Sequence, residues 1–514
     1  MNNVGKILAW SGVLALSLAV LPVHAQQGDP DNGEVIYFEH CVGCHGEDGD
    51  GAGPAAERLN PPPRDFSEGA YKFKTTGFDD FVPNDADLYR MISDGMPGTA
   101  MPDWSDVLSE TEMWDLVAYI KIFAGLEEEE PTDQIDYGTQ IATSAESIAR
   151  GRDLFHESQR CSECHGHDGR GDAVKKLNDD GGERTWPRNM TKPWTFRASN
   201  DPRDIFTRMT VGIPGTQMPS FDDPVNKKRL SIDDRWHVAN YVTSLAETER
   251  VPRAENTVIK AVRVDGGVPA APDDARWAEI APTTFLLVPQ IIADERLFTP
   301  SNDTISARVT YDDETLAILL EWDDRTQSIP GDTDAEAIAD PNMGEDSVAV
   351  QFPVAIPGGV EKPYFGMGDA SNPVNIWRWS SGTTEEPESA VLMNARGFAD
   401  IVPREAAAAG LQATGTYTNG TWRVVMTRPL TPVDVEADIG FEEGRFIPIA
   451  FAAWDGSNAE RGSRHTLTTW YWLLLEPPGS ARPIIVALLI AALIAAGEAW
   501  WQRSATARRR KADV

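Results

Sequence analysis

Residues 41–45 are Cys41-Val42-Gly43-Cys44-His45, and the same pattern returns at 161–165 as Cys161-Ser162-Glu163-Cys164-His165. Cys-x-x-Cys-His is the attachment motif for c-type haem. Two thiols at this spacing can each form a thioether to one vinyl group of a single porphyrin, and the adjacent histidine can bind the iron from the same turn. We therefore predict two covalent haems, one held by Cys41 and Cys44 with His45 on the iron, the other by Cys161 and Cys164 with His165.

Three other interpretations of a cysteine pair are a redox-active dithiol, a zinc site and a disulfide. A redox pair requires no following histidine and does not explain two copies. Zinc requires four ligands at each site, and the chain contains only four cysteines, all of them in the two motifs. The haem interpretation is favoured, and it assigns every cysteine.

The two motifs belong to a longer internal repeat. The same landmarks follow each motif in the same order: a Pro-Arg pair, a loop rich in glycine and proline that ends in Met-Pro, and a segment with Trp and Tyr five residues apart. Apolar residues at helical spacing predict a helix before each motif and a closing helix that begins near Trp114 or Trp236. We interpret the repeat as two copies of one small helical domain.

The repeat also indicates the sixth iron ligand. Met96 in the first loop aligns with Ile213 in the second, and isoleucine cannot bind iron, whereas Met101 aligns with Met218. Met101 and Met218 are therefore the predicted ligands. In the Pro-Arg pairs, Arg64 and Arg188 are candidates for contacts to haem propionates, and a solvated surface arginine is an equal alternative.

Residues 28–248 resemble two class I cytochrome c domains. The resemblance implies small helical domains in which histidine and methionine fill both axial positions of the haem iron. With both positions filled, no iron site remains open to a small substrate. This favours electron transfer over catalysis.

From about residue 256 the pattern changes to short alternating stretches typical of strands, for example 305–311, 316–322, 348–352, 447–453 and 466–475. Asn419-Gly420 separates two such stretches and is a strong hairpin signal. We predict an all-β third domain, one antiparallel β-sandwich.

The stretches 363–369, 373–379, 451–456 and 464–470 resemble the haem-binding subunit of ethylbenzene dehydrogenase and related members of the dimethyl sulfoxide reductase superfamily. The resemblance implies one non-covalent haem b between a methionine and a lysine. The methionine corresponds to Met367, and the lysine position falls on His465, a departure from the family pattern. We predict Met367 and His465 as the iron ligands, with a haem-free sandwich as the alternative.

The two ends carry targeting signals. Residues 1–25 have the charged, apolar and small-residue regions of a secretory signal peptide. Residues 483–501 are mostly apolar and precede a basic tail, which predicts a single transmembrane helix with a cytoplasmic C-terminus. The predicted boundaries are signal peptide 1–25, cytochrome c domains 26–126 and 141–248 joined by an acidic linker 127–140, a linker 249–263, the sandwich 264–476, the transmembrane helix 483–501 and the tail 502–514.

The chain carries 46 basic and 80 acidic residues, a formal net charge of −34. Phosphate groups would be repelled, which argues against nucleic acid as a partner. The sequence thus predicts a periplasmic multihaem cytochrome, anchored in the inner membrane. It exchanges electrons with a redox partner, either a molybdoenzyme with its iron–sulfur subunit or a soluble cytochrome. The alternatives are a dihaem peroxidase and a cytochrome whose sandwich binds another ligand.

Overall fold

A computed structural model describes most of the chain between residues 28 and 512. The described residues are 28–59, 61–80, 82–129, 134–172, 177–180, 182, 184–298, 300–356, 358, 362–477 and 482–512. The predicted signal peptide lies outside them. The chain forms two compact units, one of residues 1–135 with 210–214, the other of residues 136–209 with 215–514. The second cytochrome-like region therefore shares a unit with the β domain.

Helices around a small apolar core build the first unit. Its described helices are α1 (Pro30–His40), α2 (Val42–His45), α3 (Asp85–Asp94) and α4 (Glu110–Phe123). Helix α4 begins at a capping box, because Ser109 and Glu112 satisfy each other's free backbone N–H groups. Helices α1 and α4 cross at Gly33, where a Cβ would overlap the carbonyl oxygen of Asp115. The crossing therefore requires glycine.

The second unit repeats this arrangement before its sheet begins. Its helices in this region are α5 (Ala145–His156), α6 (Ser162–His165), α7 (Pro202–Val211) and α8 (Ile232–Ser244). Helices α5 and α8 cross at Gly151, where a Cβ would overlap the carbonyl oxygen of His237. The helices predicted before each motif and at the end of each repeat are thus confirmed in both copies.

The rest of the second unit is mainly β-structure. The strands are β1 (Leu177–Asn178), β2 (Arg184–Thr185), β3 (Val258–Arg263), β4 (Thr283–Leu286), β5 (Val288–Pro289), β6 (Thr304–Tyr311), β7 (Thr315–Asp323), β8 (Ser347–Pro353), β9 (Val374–Ser380), β10 (Ser389–Ala395), β11 (Ile401–Arg404), β12 (Gln412–Thr418), β13 (Thr421–Pro429), β14 (Phe446–Trp454), β15 (Thr466–Leu467) and β16 (Tyr471–Leu475). A short helix α9 (Thr333–Ile338) lies between β7 and β8, and helix α10 (Arg482–Ala512) follows the sheet.

Strands β3 to β16 are linked in one sheet, whose main path runs β11-β10-β9-β8-β14-β16-β3-β6-β7-β13-β12. Strands from the two halves of this path pack face to face, with β9 against β7 and β13. The Trp379 ring of β9 lies 6.3 Å from Trp322 of β7 and 4.9 Å from Trp422 of β13. This layering places Trp322, Trp379 and Trp422 in one buried core.

The predicted antiparallel sandwich is wrong in one respect, because the sheet is mixed. Strand β3 pairs parallel with both β16 and β6. It lies in the stretch predicted as a linker, at 249–263, and its Ile259 and Ala261 are buried. Its six residues alternate only weakly between apolar and polar, a pattern that is not a clear strand signal.

Two further strand predictions had different outcomes. The hairpin at Asn419-Gly420 is confirmed: both residues have positive φ, at 49° and 70°, and they join β12 to β13. The stretch 466–475 is not one strand but two, β15 and β16, which pair with different segments of β14.

Helix α10 spans the residues predicted to cross a membrane. Among the described residues, no helix is both long enough and apolar enough to do so.

We predict that Gly33→Ala destabilises the first unit by about 1–3 kcal/mol, because the new methyl group must displace α4 from α1. Gly43→Ala is the matched control, since a Cβ at Gly43 meets no atom within 4 Å. Denaturant unfolding of both variants measures the difference. Equal stability of the two variants would contradict the close crossing.

Candidate haem sites

The first Cys-x-x-Cys-His motif occupies one turn of helix. Cys41 precedes α2, and its carbonyl oxygen accepts hydrogen bonds from the N–H groups of Cys44 at 3.1 Å and of His45 at 3.0 Å. The turn brings two thiols and an imidazole onto one short segment. Burial, and then the neighbouring Cys44, raise the pKa of the Cys41 thiol to about 12.

The second motif has the same geometry. The Cys161 carbonyl oxygen accepts from the N–H groups of Cys164 at 3.2 Å and of His165 at 3.0 Å. Burial raises the pKa of Cys161 to about 12 as well. All four cysteines are free of disulfides. The two turns therefore offer the same donor set in the same local conformation.

Both histidine rings are oriented by a backbone carbonyl. His45 Nδ1 lies 3.0 Å from the carbonyl oxygen of Arg64, and His165 Nδ1 lies 3.1 Å from that of Arg188. An Nδ1–H donated to a carbonyl leaves Nε2 as the free ligand atom, the arrangement typical of metal-binding histidines. Burial lowers the pKa of both imidazoles, which favours the neutral, ligating form.

This role for Arg64 and Arg188 differs from the one that the sequence suggested. The prediction concerned their guanidinium groups, whereas the contact that the structure shows is made by their backbone. The repeat did point to these two positions, because a Pro-Arg pair follows each motif. A backbone acceptor carries no side-chain signature, so residue type alone could not reveal it.

The predicted methionine ligands lie in similar loops. A threonine two residues earlier holds each of them: Thr99 Oγ1 accepts from Met101 N–H at 3.1 Å, and Thr216 Oγ1 from Met218 N–H at 3.2 Å. Both methionine side chains are half-buried. The repeat is thus preserved in three dimensions within each loop, and ligation of iron by Met101 and Met218 stays a prediction.

Buried groups near the first motif are suited to a haem carboxylate. The hydroxyl of Tyr71 is buried and has no hydrogen-bond partner among the described residues, and burial raises its pKa to about 12. The charge of Arg64 acts on the same hydroxyl, and burial lowers the pKa of Arg64 itself. A donor and a desolvated cation of this kind would both be satisfied by a propionate.

The second motif has a stronger cationic neighbourhood. Burial, and then repulsion from Arg188, lower the pKa values of Arg197 and Arg325 to about 10. Arg325 comes from the sheet, two residues after β7, and its guanidinium lies 5.2 Å from the centre of the Trp186 ring. Sequence reasoning missed Arg197 and Arg325. Arg325 in particular lies outside the repeat and reaches the motif only through tertiary packing.

One carboxylate joins the second cytochrome-like region to the sheet. Asp323, the last residue of β7, lies 3.2 Å from Arg170 Nη1, 3.2 Å from Lys192 Nζ and 3.0 Å from Arg250 Nη2. Burial alone would raise the pKa of Asp323, but the three positive charges outweigh it and hold the pKa well below the usual range. The ionised carboxylate is therefore a strong link between the two parts of this unit.

The third predicted site is a cavity in the β domain. Met367 and His465 both line it, together with aromatic side chains that include Phe365, Phe398 and Trp454. The two residues are 98 positions apart in sequence, so the fold itself brings them to one cavity. The predicted pair is thus found together, although binding of iron by the pair stays a prediction.

The His465 imidazole has the properties of an iron ligand. Its Nδ1 lies 3.1 Å from the carbonyl oxygen of Gly462, and its ring lies 4.7 Å from the Trp454 ring. Burial lowers its pKa to about 4, so it is neutral at physiological pH. As at the two Cys-x-x-Cys-His motifs, Nδ1 faces a carbonyl, an orientation that suits Nε2 as a ligand atom.

Met367 is held in an unusual backbone conformation. Its φ is +67°, in the left-handed region that disfavours residues with a Cβ. Its carbonyl oxygen accepts from Gly397 N–H at 2.8 Å, and Gly368 N–H donates to Tyr364 at 2.8 Å. Such strain persists where surrounding structure enforces it, and it is common at functional sites.

The chemistry of the two donor groups suits haem b, whereas the size of the cavity does not. Thioether and imidazole are both suitable axial ligands. The cavity volume is about 40 Å³, however, against roughly 300–1,000 Å³ for typical cofactor pockets. Haem would therefore have to separate Phe365 and Phe398 from the opposite wall. Lys362 does not line the cavity; its ammonium lies 4.3 Å from the centre of the Trp472 ring.

Comparison with protein families gives three matches along the chain. Residues 28–120 match cytochrome c oxidase, cbb3-type, subunit III. Residues 148–246 match cytochrome c. Residues 274–396 and 397–466 match ethylbenzene dehydrogenase.

Chlorate reductase subunit gamma of Ideonella dechloratans is 32% identical over 226 residues, 44% of this chain and 86% of that protein. The putative respiratory nitrate reductase heme subunit ORF7 of Haloferax mediterranei is 31% identical over 172 residues, 33% of this chain and 55% of that protein. A solved chain of the Kuenenia stuttgartiensis reducing HAO-like protein complex has 36% identity and a TM-score of 0.39, and the match covers 43% of this chain and 98% of that one. The two curated relatives are subunits of reductases, which confirms the predicted electron-transfer role.

We predict that Asp323→Asn lowers the free energy of unfolding of the second unit by roughly 3–5 kcal/mol, because Arg170, Lys192 and Arg250 all lose a buried anionic partner. Lys192 still pairs with Asp303, and Arg250 with Glu247. Asp313→Asn is the control: Asp313 pairs with Arg263, but 84% of its side chain is exposed. An exposed ion pair contributes about 0–1 kcal/mol to the free energy of unfolding. Urea unfolding at pH 7 compares the two variants.

The same carboxylate predicts a pH dependence. The folded-state pKa of Asp323 is depressed, so its contribution is fully present above the unfolded pKa of about 3.9 and is lost as pH falls toward the folded value. We expect the wild type to lose more stability than Asp323→Asn between pH 5 and pH 2. If the stability of the two proteins fell in parallel between pH 5 and pH 2, the depressed pKa of Asp323 would be contradicted.

Proposed function

We propose that this chain, which belongs to the family of chlorate reductase subunit gamma, is the multihaem electron-transfer subunit of a respiratory oxidoreductase complex outside the cytoplasm. The observation that carries the proposal is the duplicated turn: each has two thiols and a histidine whose Nδ1 faces a backbone carbonyl. Two equivalent turns of this kind are suited to two covalent haems.

The proposed cofactors are two c haems and one b haem. When bound, each supplies a one-electron redox centre. Cys41, Cys44 and His45 would hold the first, with Met101 as the sixth ligand. The corresponding residues Cys161, Cys164, His165 and Met218 would hold the second, and Met367 and His465 the third. Iron with two protein axial ligands has no open position, so this set favours electron transfer over peroxide chemistry.

The protein's own contribution is to fix the second c site relative to the sheet. Asp323 binds Arg170 at 3.2 Å and Arg250 at 3.0 Å through Oδ1, while Oδ2 lies near Lys192. These ion pairs resist relative motion, because separation would remove one buried anionic partner from each of the three cations. A fixed separation between redox centres keeps the rate of electron exchange constant.

The proposed partner is a catalytic subunit of the molybdoenzyme class, reached directly, through an iron–sulfur subunit, or through a soluble cytochrome. This step follows from the family, whose relatives are subunits of chlorate and nitrate reductases. The net charge of −34 favours a basic docking face on the partner, because opposite charges accelerate encounter.

The proposed location is the outer face of the inner membrane, with the signal peptide removed and α10 as the anchor. The exposed apolar side chains of α10, such as Leu493 at 72% and Trp500 at 70% exposure, support this placement. In water such a surface is unfavourable.

Haem content tests the cofactor set. The full chain, purified from a host that attaches c haem, should retain two haems through acid-acetone extraction and release one. Electrochemical titration should show each as a one-electron centre. Peroxide turnover above a free-haem control would contradict the electron-transfer proposal and favour the dihaem peroxidase alternative.

We predict that His465→Ala abolishes the extractable haem and leaves the two covalent haems in place, because it removes one axial ligand of the third site. His167→Ala is the control, since 85% of the His167 side chain is exposed. The measured quantity is extractable haem per covalent haem. If His465→Ala does not fold, Met367→Leu provides the same comparison. Unchanged extractable haem in a folded variant would contradict Met367/His465 ligation.

We predict that a chain ending at residue 477 is released from membranes, whereas the full chain sediments with them. The reason is that the truncation removes α10 and its exposed apolar surface. Immunodetection in soluble and membrane fractions after osmotic shock measures the distribution. Equal distribution of the two chains would contradict the anchor without affecting the haem proposal.

A further inference from the structure

Three buried carboxylates converge inside the β domain, away from the candidate haem residues. They belong to Asp324, Asp346 and Asp455, whose residues are 2%, 0% and 2% exposed. One oxygen of each lies within 4.8 Å of one oxygen of both others. Asp324 follows β7, Asp346 precedes β8 and Asp455 follows β14, so the fold assembles the cluster from three separate strand ends.

Like charges at this depth are costly unless something neutralises them. Solvent does not separate these side chains, because all three residues are buried. A fourth buried carboxylate, Glu460, is close by, since its Oε2 accepts from Asp455 N–H at 3.1 Å. The domain therefore concentrates negative charge where solvent cannot screen it.

Four of the six carboxylate oxygens of the cluster accept hydrogen bonds within the described part of the chain. Asp346 accepts from Ser328 N–H at 2.6 Å, Gly456 N–H at 2.9 Å and Trp422 Nε1–H at 2.9 Å. Asp455 Oδ1 accepts from Ser457 N–H at 2.8 Å. These bonds hold both carboxylates in place.

At Asp324, Oδ1 accepts from Thr326 N–H at 3.2 Å, whereas Oδ2 is buried and has no hydrogen-bond partner in the described part of the chain. A buried carboxylate oxygen without a donor, in a group of three carboxylates, is suited to a cation rather than to another N–H group. This unpartnered oxygen is the observation that separates the cluster from an ordinary acidic patch.

We propose that Asp324, Asp346 and Asp455 bind one divalent cation, and that the cation is calcium. All three donors are hard carboxylate oxygens, without histidine or cysteine, which disfavours zinc and copper. Calcium accepts six to eight oxygens at about 2.3–2.6 Å, so ligands on opposite sides of the ion lie up to about 5 Å apart. Magnesium retains several waters, which a cluster this buried does not accommodate.

A cation at this position would affect the cytochrome-like region of the same unit. Asp324 lies between Asp323 and Arg325. Asp323 binds Arg170 and Lys192 of that region and Arg250 just after it, and the Arg325 guanidinium lies 5.2 Å from the Trp186 ring centre. Fixing Asp324 fixes the turn that carries both neighbours. Calcium should therefore stabilise the attachment of the second c site to the sheet, whether or not the haem assignments above hold.

Calcium binding to the full chain tests the site. Protein treated with EGTA and freed of chelator should bind one calcium per chain in isothermal titration calorimetry. Saturation at about 100 times the dissociation constant should raise the thermal midpoint of the second unit by roughly 5 °C. Magnesium at the same concentration should give less than half of that shift. Absence of binding together with an unchanged midpoint would overturn the proposal and leave the carboxyl groups protonated.

Asp324→Asn keeps the shape of the side chain and the bond from Thr326 but removes the charge at the unpartnered oxygen. We expect at least a tenfold weaker affinity for calcium and loss of the thermal shift. Asp273→Asn, at an exposed aspartate of the same domain, should leave both unchanged. If Asp324→Asn bound calcium as tightly as the wild type does, the proposed site would be wrong. If that variant does not fold, the wild-type titration alone decides.

Discussion

The structure of the second unit depends on the carboxylate of Asp323. Among the residues that the structure describes, it is the one acidic group that contacts Arg170, Lys192 and Arg250 together, within 3.0–3.2 Å. Buried charges tolerate little displacement, since each loses solvation and regains it only from its partner. A repeat that could have remained an independent helical domain is thereby fixed to the sheet, and any redox centre that it holds keeps a constant position relative to the β domain.

The two copies of the repeat share their local chemistry and differ in their surroundings. Both orient a histidine through a backbone carbonyl, of Arg64 or of Arg188, and both cross their helices at a glycine. Near the second copy, a buried arginine, Arg325, is supplied by the sheet. The two turns are therefore alike in local geometry, whereas the sheet contributes to the surroundings of the second.

Local patterns predicted much of this. The duplicated motif, the flanking helices and the Asn419-Gly420 hairpin are each specified by residues close in sequence, and the structure has the predicted turns and helices. Strand β3 was not predicted, because its parallel neighbours lie some 50 and 200 residues away and parallel pairing leaves no turn signal. Arg325 and the carbonyls of Arg64 and Arg188 were missed for related reasons: one acts through tertiary contact, the others through the backbone.

Residues 323–325, at the end of β7, make three different sets of contacts. Side chains alternate between the two faces of an extended segment, so first and third neighbours point to the same side. Asp323 and Arg325 both reach the cytochrome-like region, one through its cations and the other through Trp186. Asp324, between them, joins Asp346 and Asp455 inside the β domain. Because the three residues share one short backbone segment, a change in the charge balance on the inner side must act on the contacts of the outer side.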